Sequence, residues 1–265
     1  MSEWSSGFWP PDHNQAFLRL IAAKINRNVV SRLSRRSADP GLPSLSQGRR
    51  VSIGDMMKRT TLTLTFLAPV LMAAGVLPAA SADISRSYSY FSIGGKTLGE
   101  IEEQLRSRGP EVQSTGQRHP GATRMEFKTK ITYEEDERRC RIAAVNVSVD
   151  AQVFLPRWRN RKRAEPETAL IWDTLSKDIK RHEESHLGIA KRYARKIEED
   201  VARLRPRASC EALQERAEKI TEKTLNAHDA AQARFDRIES GNFEWRLMRL
   251  LNYRLEQLER GRNPG

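Results

Sequence analysis

Between Pro166 and Leu204 the apolar residues recur at steps of three and four: Ile171, Leu175, Ile179, Ile189, Tyr193, Ile197, Val201 and Leu204. A stripe of period 3.6 this long specifies one amphipathic helix that must lay a face on a core. Two histidines, His182 and His186, occupy the stripe itself, within the string His182-Glu183-Glu184-Ser185-His186. Residues four apart on a helix differ by about 40° around its axis, so both imidazoles can converge on one metal ion. Glu183, at the edge of the stripe, then stands where a carboxylate can serve as general base in an H-E-x-x-H site. His is scarce, at 5 of 265 residues. A buried His needs partners for its ring nitrogens. One core His is ordinarily satisfied by a hydrogen bond, whereas two, one turn apart and bracketing Glu, point to Zn²⁺ ligands.

Two His do not complete a catalytic zinc site, which usually has three protein ligands and an open position. Ile189 and Arg192 stand where the metzincin extension needs Gly and His. The helix should end at Pro206, and a second helix should run from near Cys210 to about Ser240, with Gly241 as its stop. If the two helices form an antiparallel pair turning near residues 206–209, the partner of His186 lies near His228. His228 shares a stripe with Thr224, Ala231 and Phe235, so it is the expected third ligand. Asp236 and Glu239, on or near the same face, are the alternatives.

Upstream of the helical pair the period changes to two. Tyr88 to Ile93 reads as a strand stopped by Gly94-Gly95. Leu98 to Leu105 reads as a short helix with Thr97 as N-cap and Gly109-Pro110 as its stop. Met125, Phe127, Thr129, Ile131 and Tyr133 alternate with polar residues, as do Val145, Val147, Val149, Ala151 and Val153. These two runs should pair as a hairpin through residues 134–137. Pro166 suits the first turn of the long helix, and Phe243 to Leu258 forms a last amphipathic segment. The expected class is α+β: a small antiparallel sheet with a short helix, packed on a long antiparallel helical pair.

The first 82 residues read differently. Met57-Lys58-Arg59 opens a positive region, Leu62 to Leu77 is apolar, and Ala80-Ser81-Ala82 is an A-x-A cleavage site. Residues 57–82 therefore read as a secretory signal peptide, with the mature chain starting at Asp83. Pro69 interrupts the apolar run and Pro78 follows its end, and the run is short for a membrane anchor. Residues 1–56 are basic and Ser/Pro/Gly-rich, an expected disordered extension or an upstream-placed start, with Met56 or Met57 as the true one. Residues 83–265 are enough for one domain. Of the net charge of +12, about half lies before Asp83. The one dense basic cluster after it, 157–163, reads as a solvated loop, and export argues against nucleic acid as partner. The chain should meet the membrane only transiently, through the signal peptide, and be periplasmic or secreted. In such a compartment Cys140 and Cys210, the only two cysteines, should form a disulfide.

With these residues collected, the mature chain resembles a bacterial family of unknown function described as predicted secreted zinc-dependent proteases. The resemblance rests on Tyr88-x-Tyr90-Phe91-x-Ile93-x-Gly95-x-Thr97, Arg108-Gly109-Pro110, Gly121-x-Thr123 and Leu155-Pro156-Arg157-Trp158. It rests also on His182 to His186 followed by Ala190, the cysteine pair, and Phe235-Asp236-Arg237 in place of a late Tyr-Asp motif. There the family tends to continue to a His-Gly pair, where this chain has Ser240-Gly241-Asn242. If that His is the family's third ligand, Asp236 or His228 must serve here. The resemblance implies a zincin-like fold and a metallopeptidase. The expectation is hydrolysis of peptide or amide bonds in a protein, peptide or peptidoglycan substrate, with Glu183 as general base on zinc-bound water. The rival expectation is a non-catalytic cell-envelope binding or structural protein with a degenerate zinc site.

Overall fold

The alternating segments and helical stripes become, in a computed structural model describing residues 4–5, 83–112 and 116–261, an α+β arrangement. In chain order the elements are β1 (Trp4–Ser5), β2 (Asp83–Ile93), α1 (Leu98–Arg108), β3 (Glu111–Val112), β4 (Gln117–Arg118), β5 (Ala122–Glu135) and β6 (Cys140–Trp158). A 3-10 turn (Arg161–Arg163) leads to α2 (Pro166–Ala202), α3 (Cys210–Gly241) and α4 (Phe243–Glu259). The expected signal peptide and the extension before it lie outside the described residues, Trp4 and Ser5 excepted. None of the described helices is long and apolar enough to cross a membrane.

The hairpin is β5 against β6, antiparallel from Ala122↔Phe154 to Glu135↔Cys140, with a register shift between Thr132 and Tyr133. Asp136 closes its turn by accepting from the backbone N–H groups of Arg138 and Arg139. The sheet is not purely antiparallel, as the alternation alone suggested. Its order is β1-β5-β6-β2, and β2 runs parallel to β6 from Asp83↔Ser148 to Ile93↔Trp158. The reason is topological. A parallel pair needs a long connection rather than a tight turn. Here α1 and the β3–β4 ribbon carry the chain from β2 to β5, and β6 then returns into the slot between them.

Local rules account for the joints. Thr97 and Glu100 form a capping box at the start of α1, whose Ile101 and Leu105 are buried. Gly95, at φ 91°, turns the chain from β2 into α1. Its carbonyl accepts from Trp158 Nε1 at 3.0 Å and Asn160 Nδ2 at 2.8 Å, which ties the end of β6 to the end of β2. Trp158 also packs on Trp172 of α2, ring centres 5.7 Å apart. The inward row of β6, Val147, Val149, Ala151, Val153 and Leu155, is buried together with Ile171, Leu175, Ile179 and Ile197 of α2. Cys140 and Cys210 are joined in a disulfide, Cα atoms 5.1 Å apart, which fixes the start of β6 to the first residue of α3.

Candidate metal centre

Helices α2 and α3 are antiparallel, because their contacts run in opposite order: Arg181 meets Glu239, His182 meets Asp236 and His186 meets Gln232. This register sets the centre. His182 Nε2 and His186 Nε2 are 3.0 Å apart, and Asp236 Oδ1 lies 3.1 Å from each. Three donors bound tetrahedrally at 2.0–2.1 Å from zinc would stand about 3.3 Å apart, so this triangle fits three corners of such a site. Two imidazoles and one carboxylate also suit zinc chemically. Among the described residues it is the one group of His, Cys, Asp and Glu side chains disposed to hold a metal ion. Phe235 holds both rings in place, stacked on His182 at 5.0 Å and edge-on to His186 at 5.1 Å.

His228 stands outside this triangle. It lies about two helical turns nearer the hairpin bend than Asp236, and Gln232, between them, occupies the place opposite His186. The helix pair turns later than its proline suggested, which moves the facing register by about one helical turn. Of the two alternatives, Asp236 is in the triangle. Glu239 lies behind His182, its Oε2 3.6 Å from Nδ1, in an ion pair with Arg181 and 3.5 Å from Arg246. Arg246 and Arg181 both bind Asp178, which is buried, so α4 is bolted to the back of the centre.

The electrostatics favour a charged carboxylate at the triangle. Burial pushes the Asp236 carboxyl up, but His182 and His186 beside it bring it below its ordinary value. Burial likewise raises Glu239, and His182, Arg181 and Arg246 more than reverse this, bringing it to about 2. His182 shows the reciprocal effect: burial lowers its imidazole, and Asp236, Glu239 and Glu183 together raise it.

Glu183 is fully buried, and two residues of β5 and its approach explain how. Thr123 Oγ1 donates to its Oε2 at 2.9 Å. A Cβ on Gly121 would sit 2.8 Å from Glu183 Oε1 and from Ile179 Cγ2, so only glycine leaves room for the carboxylate. The Gly121-x-Thr123 motif is thus a seat for Glu183. Gly109 likewise permits a close approach, since a Cβ there would lie 1.9 Å from the His119 carbonyl oxygen.

His119, between β4 and β5, is buried near the centre. Burial depresses its imidazole, Asp236 acts against this, and His182 adds to it. Gln232 belongs to none of the sequence motifs. Its position on the stripe four residues before Asp236 is the available signal, but a Gln on a helix face is usually solvated.

No curated protein and no solved structure matches the chain. Residues 88–242 match the family described as "Bacterial protein of unknown function (DUF922)". The matched stretch runs from Tyr88 in β2 past the end of α3 and contains His182, Glu183, His186 and Asp236. Covering more than half of the chain, it shows that the protein belongs to the DUF922 family of bacterial proteins of unknown function.

Proposed function

We propose that this protein is an exported zinc-dependent hydrolase of peptide or related amide bonds, with His182, His186 and Asp236 as metal ligands. One observation carries the reading: three donor atoms on two helices, 3.0–3.1 Å apart, with the Glu of H-E-x-x-H beside them. A bound zinc ion would supply Lewis acidity, polarising the scissile carbonyl and lowering the pKa of water. Glu183 would take the proton of the attacking water and return it to the leaving amine. Thr123 would hold the Glu183 carboxylate in one orientation during both transfers. Export is supported by the leader pattern at 57–82 and by the disulfide, which suits an oxidising compartment. The expected first mature residue, Asp83, is also the first residue of β2, so cleavage there would trim no later element.

The test is metal content of the whole protein by mass spectrometry, beside His182→Ala and Asp236→Ala. About one zinc per chain, lost in both variants, is expected. Glu183→Gln should keep the zinc and lose turnover of a peptide library by at least about 100-fold. Turnover that survives this change rules out the mechanism.

A second reading has an observation of its own. His182, Glu183 and His186 are each 0 % exposed. A catalytic ion keeps an open coordination position, whereas a structural ion needs none. Zinc bound tightly, with no hydrolysis of any peptide or amide substrate by the wild type, would favour an envelope protein stapled by a metal.

A further inference from the structure

Beyond the ligands themselves, a chain of side chains runs away from His186 along α3. His186 Nδ1 lies 2.8 Å from Gln232 Oε1. Gln232 Nε2 lies 3.2 Å from the His186 carbonyl oxygen and 2.8 Å from His228 Nε2. His228 Nδ1 lies 2.9 Å from Asp229 Oδ1. The direction of every bond follows from a group that can only accept, the His186 carbonyl. The His186 carbonyl requires that the Gln232 NH₂ face it, which places Gln232 Oε1 against His186 Nδ1. His186 Nδ1 must then carry hydrogen and donate, leaving the Nε2 lone pair directed into the triangle. The second amide hydrogen goes to His228 Nε2, so His228 carries its hydrogen on Nδ1 and donates to the Asp229 carboxylate.

The geometry points to Gln232 and His228 as positioning residues that set the tautomer and aim of His186 as a metal ligand. Their surroundings suit this role. Gln232 and His228 are both 0 % exposed. The His228 ring is fixed edge-on by Phe127 of β5 at 4.9 Å and by Tyr193 of α2 at 5.6 Å. Three elements therefore hold one imidazole that stands a step behind the triangle. A ligating His ordinarily donates its second ring N–H to an oxygen that orients it, and removing such a partner costs about 10- to 100-fold in metal affinity. This assignment rests on the metal reading above but makes its own prediction.

The experiment is zinc affinity of the whole protein by chelator competition, with the Co²⁺-substituted visible spectrum as a report on coordination. Wild type, Gln232→Leu, Gln232→Glu and His228→Phe are compared. Gln232→Leu should weaken zinc about 10- to 100-fold and alter the Co²⁺ spectrum. Gln232→Glu, which keeps an oxygen acceptor for Nδ1–H, should recover most of that loss. His228→Phe should lie between wild type and Gln232→Leu. A second measurement needs no variant: long-range ¹H–¹⁵N correlation of the zinc-loaded wild type should show His186 with hydrogen on Nδ1. Zinc binding by wild type and Gln232→Leu with equal affinity, or His186 with hydrogen on Nε2, overturns the assignment alone. A wild type that takes up no zinc overturns it together with the metal reading.

Discussion

Gly121 and Thr123 close around Glu183, and each of the two makes a separate prediction. Gly121→Ala places a methyl 2.8 Å from Glu183 Oε1 and Ile179 Cγ2, both within the core. Overpacking of this kind should cost about 1–3 kcal/mol, read as a lower midpoint in urea denaturation. Thr123→Val keeps the shape and removes the hydrogen that Glu183 Oε2 accepts, so a similar loss of about 1–3 kcal/mol is expected. Titration gives a further prediction, with opposite signs for Glu239 and His182. Without metal, Glu239, lowered from 4.5 to about 2, contributes stability that is complete above about pH 4.5 and fades as pH falls toward 2. His182, raised above 6.5, contributes stability that is complete below pH 6.5 and is lost as pH rises through its folded value. Zinc needs the unprotonated imidazole, so its binding competes with that same proton. The rise in melting temperature caused by zinc should therefore shrink as pH falls below neutral, and calorimetry across that range checks it.

At the scale of elements, two fastenings hold the helices to the sheet and to each other. The Cys140–Cys210 disulfide closes a separation of 70 residues between the start of β6 and the start of α3. On the chain-entropy account its removal by a double Cys→Ser variant should cost up to about 4 kcal/mol. The second fastening is polar. Asp178 is buried on α2 and accepts from Arg181 of the same helix and from Arg246 of α4. Asp178→Ala would leave Arg246 buried without its main counter-charge, a change that costs about 3–5 kcal/mol. Hydrogen exchange should show α4 loosening first, because its ion pairs to Asp178 and Glu239 are its polar link to the centre. The spacing of apolar residues foretold α2, α3 and α4 almost to their ends. It did not foretell this bolt, since a charged pair has no sequence period.

For the whole molecule, the centre lies between the two long helices on one side and the β5 approach on the other, so metal and fold should stabilise one another. Free zinc at 100 times its dissociation constant should add about 2.7 kcal/mol to unfolding, with nothing added in His182→Ala. The parallel placement of β2 against β6 belongs to this scale as well. Alternation in Tyr88 to Ile93 identifies a strand but carries no information about which neighbour it meets.

Read alone, the sequence determined what depends on neighbours along the chain. It set the α+β class, the β5–β6 hairpin, the capped α1, the long helix with both histidines on its buried face, and the cysteine pairing. The elements follow from periods of two and 3.6 and from turn and cap chemistry, and the pairing from there being only two cysteines in an expected oxidising compartment. Tertiary structure alone decided which residue completes the triangle. A helical turn moves a side chain about 5.4 Å along its axis, so a small error in where the α2–α3 pair bends exchanges His228 for Asp236 across from the histidines. It also decided that β6 lies between β5 and β2, and that His119 and Gln232 come to the centre. Those outcomes depend on how packed elements meet in space, which no local pattern of residues encodes.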